Sequence, residues 1–268
     1  MAVPASTSEG LIQPLRSDPA RAAILADVDG TLAPIVGDPA DSAALPEARE
    51  ALVALAERYA VVACVSGRRA VDARGIVGVD ELTYLGNHGL ERLEPGASAP
   101  RSAAALAGHE DDAARLVAGL DRDRLEEAGL RLEDKGPIRA LHWRGAQDEE
   151  RAERVAGEIG EEAREAGLSL HGGRKVLELR PPVRFDKGIA ITELLGDHPV
   201  RHALYGGDDR TDLDGFRALR ERAASGGLDT AVCVAVASEE SPAELSDRAD
   251  LIVRDPTGFA GLLRRLAA

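Results

Sequence analysis

Short apolar runs rich in Val, Ile and Ala alternate with amphipathic stretches over most of this 268-residue chain, and that alternation restricts the fold more than any other feature. "AILADVDG", "PEAREALVALAERY" and "AVVACVSGR" follow one another near the start; "DKGIAITELLGD", "HALYGGDD", "TDLDGFRALRER" and "TAVCVAVAS" repeat the pattern far downstream. Runs of four to six such residues are strands buried on both faces, and Leu52, Leu55, Ala56 and Tyr59 fall at helical spacing between two of them. A βα alternation predicts a parallel sheet with helices on both sides, a doubly wound, Rossmann-like α/β core.

The pattern lapses between residues 99 and 182. An acidic helical stretch leads to two runs that pair across Gly136-Pro137, then a helix, then two runs that pair across Gly172-Gly173. Helix, hairpin, helix, hairpin predicts a small α+β lobe with an antiparallel sheet, inserted into the core formed by residues 1–98 and 183–268. "GASAP" and "RPP" stand at its two ends as hinges.

A formal charge of -14 and the absence of Lys/Arg clusters argue against binding to nucleic acid or to an anionic membrane surface. An anionic substrate would then need a local cation. Aromatics make up only 3% of the chain, so the core must be built from Leu, Val, Ala and Ile. Cys64 and Cys233 each lie inside an apolar β-branched run, which reads as two small buried residues of a reduced protein. The amino-terminal stretch lacks a secretory pattern and no segment approaches the ~20 apolar residues of a bilayer span, so a soluble, cytoplasmic protein is expected.

In open parallel sheets ligands bind beyond the carboxyl ends of the strands. Four polar clusters fall at such ends: "DVDGT" from Asp27, "SGR" from Ser66, "DKG" from Asp186 and "GGDDRTD" after "HALY". Singly, each reads as a turn or helix cap. Together they supply hard oxygens from Asp27, Asp29, Asp208 and Asp209 or Asp212, which suit Mg2+. Lys187 adds a cation, and Ser66 with the N–H groups around Gly67 can donate to phosphate oxygens. Positioning plus charge stabilisation is what phosphoryl transfer requires.

In this order the four clusters resemble the motifs of the haloacid-dehalogenase-like phosphohydrolases, over about residues 22 to 265. The resemblance implies that Asp27 is a nucleophile forming an aspartyl-phosphate and that Asp29 protonates the leaving alcohol and then activates water. It also implies that Ser66 and Lys187 hold the phosphate beside Gly67 and Arg68. Asp208 would bind Mg2+ directly, with Asp29, Asp209 and Asp212 completing the acidic metal site. Thr31 lies within reach of Asp29 or the phosphate.

Within that superfamily, "LGNHGLE", "LEDKGPIRALHWR" and "VLELRPPVRFDKG" make the chain similar to trehalose-6-phosphate phosphatases, in which the inserted lobe is a mobile cap. That likeness implies a trehalose 6-phosphate substrate, contacted by Glu133, Lys135 and Glu178 of the cap. Strand alternation alone puts Glu133 and Lys135 on one face, where they read equally as solvent-facing residues. Asn87 and His88 sit at another strand end as substrate, hinge or purely structural residues, and Trp143 reads as cap core opposite His142 and Arg144. Leu213 departs from the family, which usually has Glu there. Competing readings are a phosphatase for sucrose-phosphate or for a glycosyl-3-phosphoglycerate, drawing on Arg139, Arg144, Arg174, Lys175 and Arg180, a phosphomutase of related fold, and a non-catalytic sugar-phosphate sensor.

Overall fold

A computed structural model describes residues 5–173, 175–238 and 241–268; Arg174, one of the cations named above, lies outside them. The first elements are α1 (Ala5–Ser17), β1 (Ala22–Ala26), α2 (Pro46–Ala56), β2 (Val61–Val65), α3 (Ala70–Val77), β3 (Thr83–Gly86), β4 (Glu91–Leu93) and β5 (Arg101–Ser102). Then come α4 (Asp112–Ala118), α5 (Arg122–Ala128), β6 (Arg131–Asp134), β7 (Arg139–His142), α6 (Glu149–Glu165), β8 (Ser169–Gly173) and β9 (Val176–Arg180). The chain closes with α7 (Lys187–Gly196), β10 (His202–Gly207), α8 (Asp212–Ala224), β11 (Thr230–Ala237), α9 (Ala243–Arg248), β12 (Leu251–Arg254) and α10 (Asp255–Ala267). It divides into two compact units, residues 1–101 with 185–268 and residues 102–184.

The first unit is a mixed sheet in the order β12-β11-β10-β1-β2-β3-β4-β5, parallel from β12 through β3 and reversed at β4. All five β1 residues are buried because both faces are covered. Ala22, Ile24 and Ala26 join a core with α1, α2, α3 and α10; Ala23 and Leu25 join a second core with α7, α8 and α9. Ile24 and Leu25 each contribute roughly 1.5–3 kcal/mol by leaving water. Cys64 and Cys233 are buried and unpaired, and burial pushes both thiols up, away from reactivity. No helix among the described residues is long and apolar enough to cross a membrane.

The second unit has a four-stranded antiparallel sheet, β6-β7-β9-β8. Asp148 starts α6 by accepting a hydrogen bond from the Arg151 N–H at 2.9 Å, and Glu149 and Glu150 favour its positive end. Ala152, Ala156, Ile159 and Ala163 of α6 then pack with Leu141, Leu179 and Trp143, so Trp143 does lie in this unit's core. The acidic stretch before β6, expected as one helix, is broken into α4 and α5, with Gly119 between them and Gly129 in the left-handed conformation that ends α5.

Candidate active site

The central strand β1 delivers Asp27, whose N–H bonds to the Gly206 carbonyl of β10 at 2.8 Å and so continues the parallel ladder past the strand end. Asp27 is 5% exposed. Asp186 caps α7 by accepting from the Ile189 N–H at 2.8 Å, which makes Lys187 the first helical residue. From there the Lys187 ammonium reaches both Asp27 Oδ1 and Asp212 Oδ1 at 2.7 Å. Burial pushes the ammonium down, and the carboxylates of Asp212 and Asp27 outweigh this and hold it well above its ordinary value.

Asp212, fully buried, has all its partners inside the fold. Its Oδ1 takes Lys187 and the Tyr205 hydroxyl; its Oδ2 accepts the N–H groups of Asp208 and Asp209 at 2.9 and 3.0 Å. This carboxylate shapes the loop between β10 and α8. It holds Asp208 over Gly30, where any Cβ would overlap the Asp208 carboxylate and where φ is +83°. The buried Thr31 hydroxyl donates to Asp208 Oδ1 at 3.4 Å.

Carboxylate oxygens of Asp27, Asp208 and Asp212 come within 4.8 Å of one another, a group among the described residues that could hold a metal ion. Asp29 and Asp209 turn elsewhere. Asp29 accepts two hydrogen bonds from Arg68 at 2.7 Å and one from Ser42 at 3.2 Å; Asp209 accepts the Thr211 N–H and hydroxyl at 2.8 and 2.6 Å. Burial, with Lys187 opposing and Asp212 and Asp208 adding, raises Asp27 well above the carboxylate range. Burial with Asp212 and Asp209 pushes Asp208 up to about 7. Three carboxylates thus face one ammonium, an imbalance that a divalent cation with oxygen ligands would neutralise. The donor set fits Mg2+.

Beyond β2, Ser66 donates its N–H to Leu85 O at 2.8 Å, and its hydroxyl oxygen accepts the Arg68 N–H at 3.1 Å. Asn87 and His88 follow β3 with φ of +50° and +56°, conformations that cost of order 1–3 kcal/mol each outside glycine. Leu213 packs partly buried against the second core, which accounts for an apolar residue in an otherwise acidic motif.

In the second unit, the register aligns Glu133, Ala140, Glu178 and His171 across the sheet. Glu178 Oε1 accepts Lys135 at 2.9 Å, and its Oε2 takes Arg180 Nε at 2.8 Å. Glu133 pairs with His142 at 2.6 Å, and this contact, against burial, holds its carboxyl below the ordinary range. Sequence reasoning did not single out Tyr205, and it did not foresee the Asp29–Arg68 and Glu133–His142 pairs. Tyr205 has one signal, a phenol inside an apolar run three residues before the acid pair.

The Trehalose-phosphatase family model matches residues 25–250. The chain belongs to the trehalose-phosphatase family. Trehalose 6-phosphate phosphatase RA3 of Zea mays is 34% identical over 259 residues, covering 90% of this chain and 68% of that one. A Mycobacterium tuberculosis protein named as an uncharacterized glycosyl hydrolase is 40% identical over 207 residues, 75% of this chain. The chain spans only 15% of that mycobacterial protein and 62% of a rice relative named probable trehalose-phosphate phosphatase 9. Its fold is similar to that of the C. albicans trehalose-6-phosphate phosphatase C-terminal domain (TM-score 0.73, 21% identity, 99% and 97% of the two chains). It is similar also to a trehalose-6-phosphate phosphatase related protein (TM-score 0.69, 24% identity, 91% and 96%).

Proposed function

We propose that the protein hydrolyses trehalose 6-phosphate to trehalose and phosphate, with Asp27 as nucleophile, an aspartyl-phosphate intermediate and Mg2+ as cofactor. The observation that carries this is the buried Lys187 ammonium shared by Asp27 and Asp212 beside Asp208, in a chain of the trehalose-phosphatase family. Lys187 keeps one Asp27 oxygen fixed, so the carboxylate presents the other to phosphorus. Asp29 gives its proton to the sugar oxygen as the ester bond breaks, then takes one from the water that cleaves the acyl phosphate. Both Asp29 oxygens accept from Arg68, so proton delivery requires Arg68 to release at least one, and the phosphate oxygens offer the guanidinium a competing acceptor. Ser66 and the N–H groups around Gly67 hold the remaining phosphate oxygens. Asp27 and Asp208 would hold Mg2+, with Asp212 and Asp209 orienting their loop. The ion supplies positive charge against the phosphoryl oxygens.

Residues 99–182 serve as the cap in this reading, with Glu133, Lys135 and Glu178 bonding sugar hydroxyls and Asn87 and His88 supporting the phosphate end. Arg139 pairs with Asp134 at 2.8 Å, Lys175 with Glu149 at 2.5 Å and Arg180 with Glu178 at 2.6 Å. Three of the five cations named for the phosphoglycerate alternative are thus committed to carboxylates, which favours a neutral disaccharide over a phosphoglycerate with a second anion. Phosphate release from a panel of sugar phosphates, with Mg2+ and with EDTA, tests the proposal. Mg2+-dependent preference for trehalose 6-phosphate is expected; turnover of another panel member in its place overturns the substrate, and EDTA-insensitive turnover overturns the cofactor.

A further inference from the structure

The segment "GNHGLE" ends in a glutamate that the chemistry above does not use. Glu91 opens β4 opposite Gly86 and is 7% exposed, so its carboxylate needs partners inside the fold. Its Oε2 accepts the Ala70 N–H at 2.8 Å, the Asn87 side chain donates to it, and the Arg69 charge lies near. Arg69, the residue that precedes α3, offers no side-chain acceptor to the helix, so the first N–H of α3 is satisfied by Glu91 from another strand.

The same segment holds the loop at residues 66–68. Asn87 N–H donates to Arg68 O at 2.7 Å and His88 N–H to Ser66 O at 2.9 Å. A Cβ on Gly67 would stand 2.7 Å from the His88 ring, and one on Gly86 would overlap the Ala70 nitrogen. Loop 66–68 and the start of α3 therefore rest directly on residues 86–89, where three consecutive residues have φ of +50°, +56° and +109°. Such conformations persist only where the surroundings over-determine them. The Glu91 side chain bonds to both halves of this contact, the helix start on one side and Asn87 on the other.

We infer that Glu91 is a positioning residue for the phosphate-binding loop, fixing Ser66–Arg68 through the α3 N-terminus and through Asn87. This rests on the reading of that loop as the phosphate site. A plain helix cap would affect stability alone, whereas a positioning residue changes the phosphate affinity of enzyme that remains folded.

The test measures the inhibition constant of inorganic phosphate, with KM and kcat for trehalose 6-phosphate, for the wild type and for Glu91→Ala, Glu91→Asp and Glu91→Gln. Measurements are made at a temperature where circular dichroism shows each variant folded. Glu91→Ala should raise the phosphate inhibition constant about tenfold to a hundredfold and lower kcat/KM to match, as small misplacements of a binding group do. Glu91→Gln keeps an acceptor oxygen for Ala70 N–H and should stay within about twofold. A folded Glu91→Ala with unchanged phosphate inhibition and KM overturns the inference, as does a Glu91→Gln variant as impaired as Glu91→Ala. If Glu91→Ala does not fold, Glu91→Asp, one methylene too short to reach Ala70, is judged by the same criterion. A wild type that neither turns over the substrate nor binds phosphate overturns the site reading and this inference with it; an active wild type confines any failure to Glu91.

Discussion

Each unit contains a lysine bonded to acids, and the two clusters are anchored differently. In the first, Lys187 lies between Asp27 and Asp212 with its side chain 3% exposed, and Asp212 is tied on by two backbone N–H groups and a tyrosine hydroxyl. In the second, Glu178 is gripped by Lys135 and Arg180, long side chains from its own sheet. Main-chain anchors fix the first cluster to the ends of the central strands. Side chains anchor the second. On the proposed function, phosphoryl transfer is served by the former, because its rate falls steeply with small displacements, and sorting of hydroxyls by the latter.

The largest effect expected is that of Asp27→Asn, which should reduce turnover by on the order of 10⁴-fold or more, as loss of a nucleophile does. Its melting temperature should stay level or rise, because the amide still accepts from Lys187 and removes repulsion with Asp212 and Asp208. Lys187→Ala leaves two buried carboxylates without their shared cation and should cost about 3–5 kcal/mol in denaturant unfolding. Lys135→Ala removes one of two cations from a buried carboxylate that keeps Arg180 and should cost less, about 1.5–3 kcal/mol. Equal losses for the two lysines would break the comparison. Glu178→Gln should raise KM for trehalose 6-phosphate about tenfold with kcat nearly unchanged.

The smallest effect concerns pH. Burial holds the Glu91 carboxyl above its ordinary value, with the Ala70 N–H, Arg69 and Asn87 opposing and Asp72 adding to the rise. A raised folded-state value favours the folded protein at low pH. That contribution is complete below the ordinary glutamate range and is lost as pH rises through the raised value. Glu91→Gln should remove this decline, so thermal melts at several pH values should show the variant gaining on the wild type as pH increases.

Three of the four candidate motifs, at Asp27, Ser66 and Asp208, were legible because they follow strands that apolar composition marks clearly; "DKG", expected at a strand end as well, instead opens α7. Asp27, Ser66, Lys187 and Asp208 needed no contact map to be recognised as candidates. The work of Asp212 was less visible. Spacing offered it as another oxygen donor, whereas its bonds to two N–H groups and Tyr205 depend on how the loop after β10 folds back. The pairing of Asp29 with Arg68 was hidden for a related reason, since the partners lie 39 residues apart and meet only once β1 and β2 are adjacent. The break between α4 and α5 was not legible because a single glycine, Gly119, weighs little against an acidic helical composition.

The strand order has a consequence for how such a protein can diverge. Asp27 leaves the middle of the sheet, while the chain departs for residues 102–184 after β5, at the outermost position of the same sheet, four strands away from β1. The return is different: the chain re-enters at Phe185 and runs directly into α7, which packs on the central strand. On the proposed division of roles, selection on substrate and selection on cleavage act on separate stretches of chain, and a lineage can acquire a new substrate with its bond-breaking machinery inherited intact as long as the entry into α7 is kept.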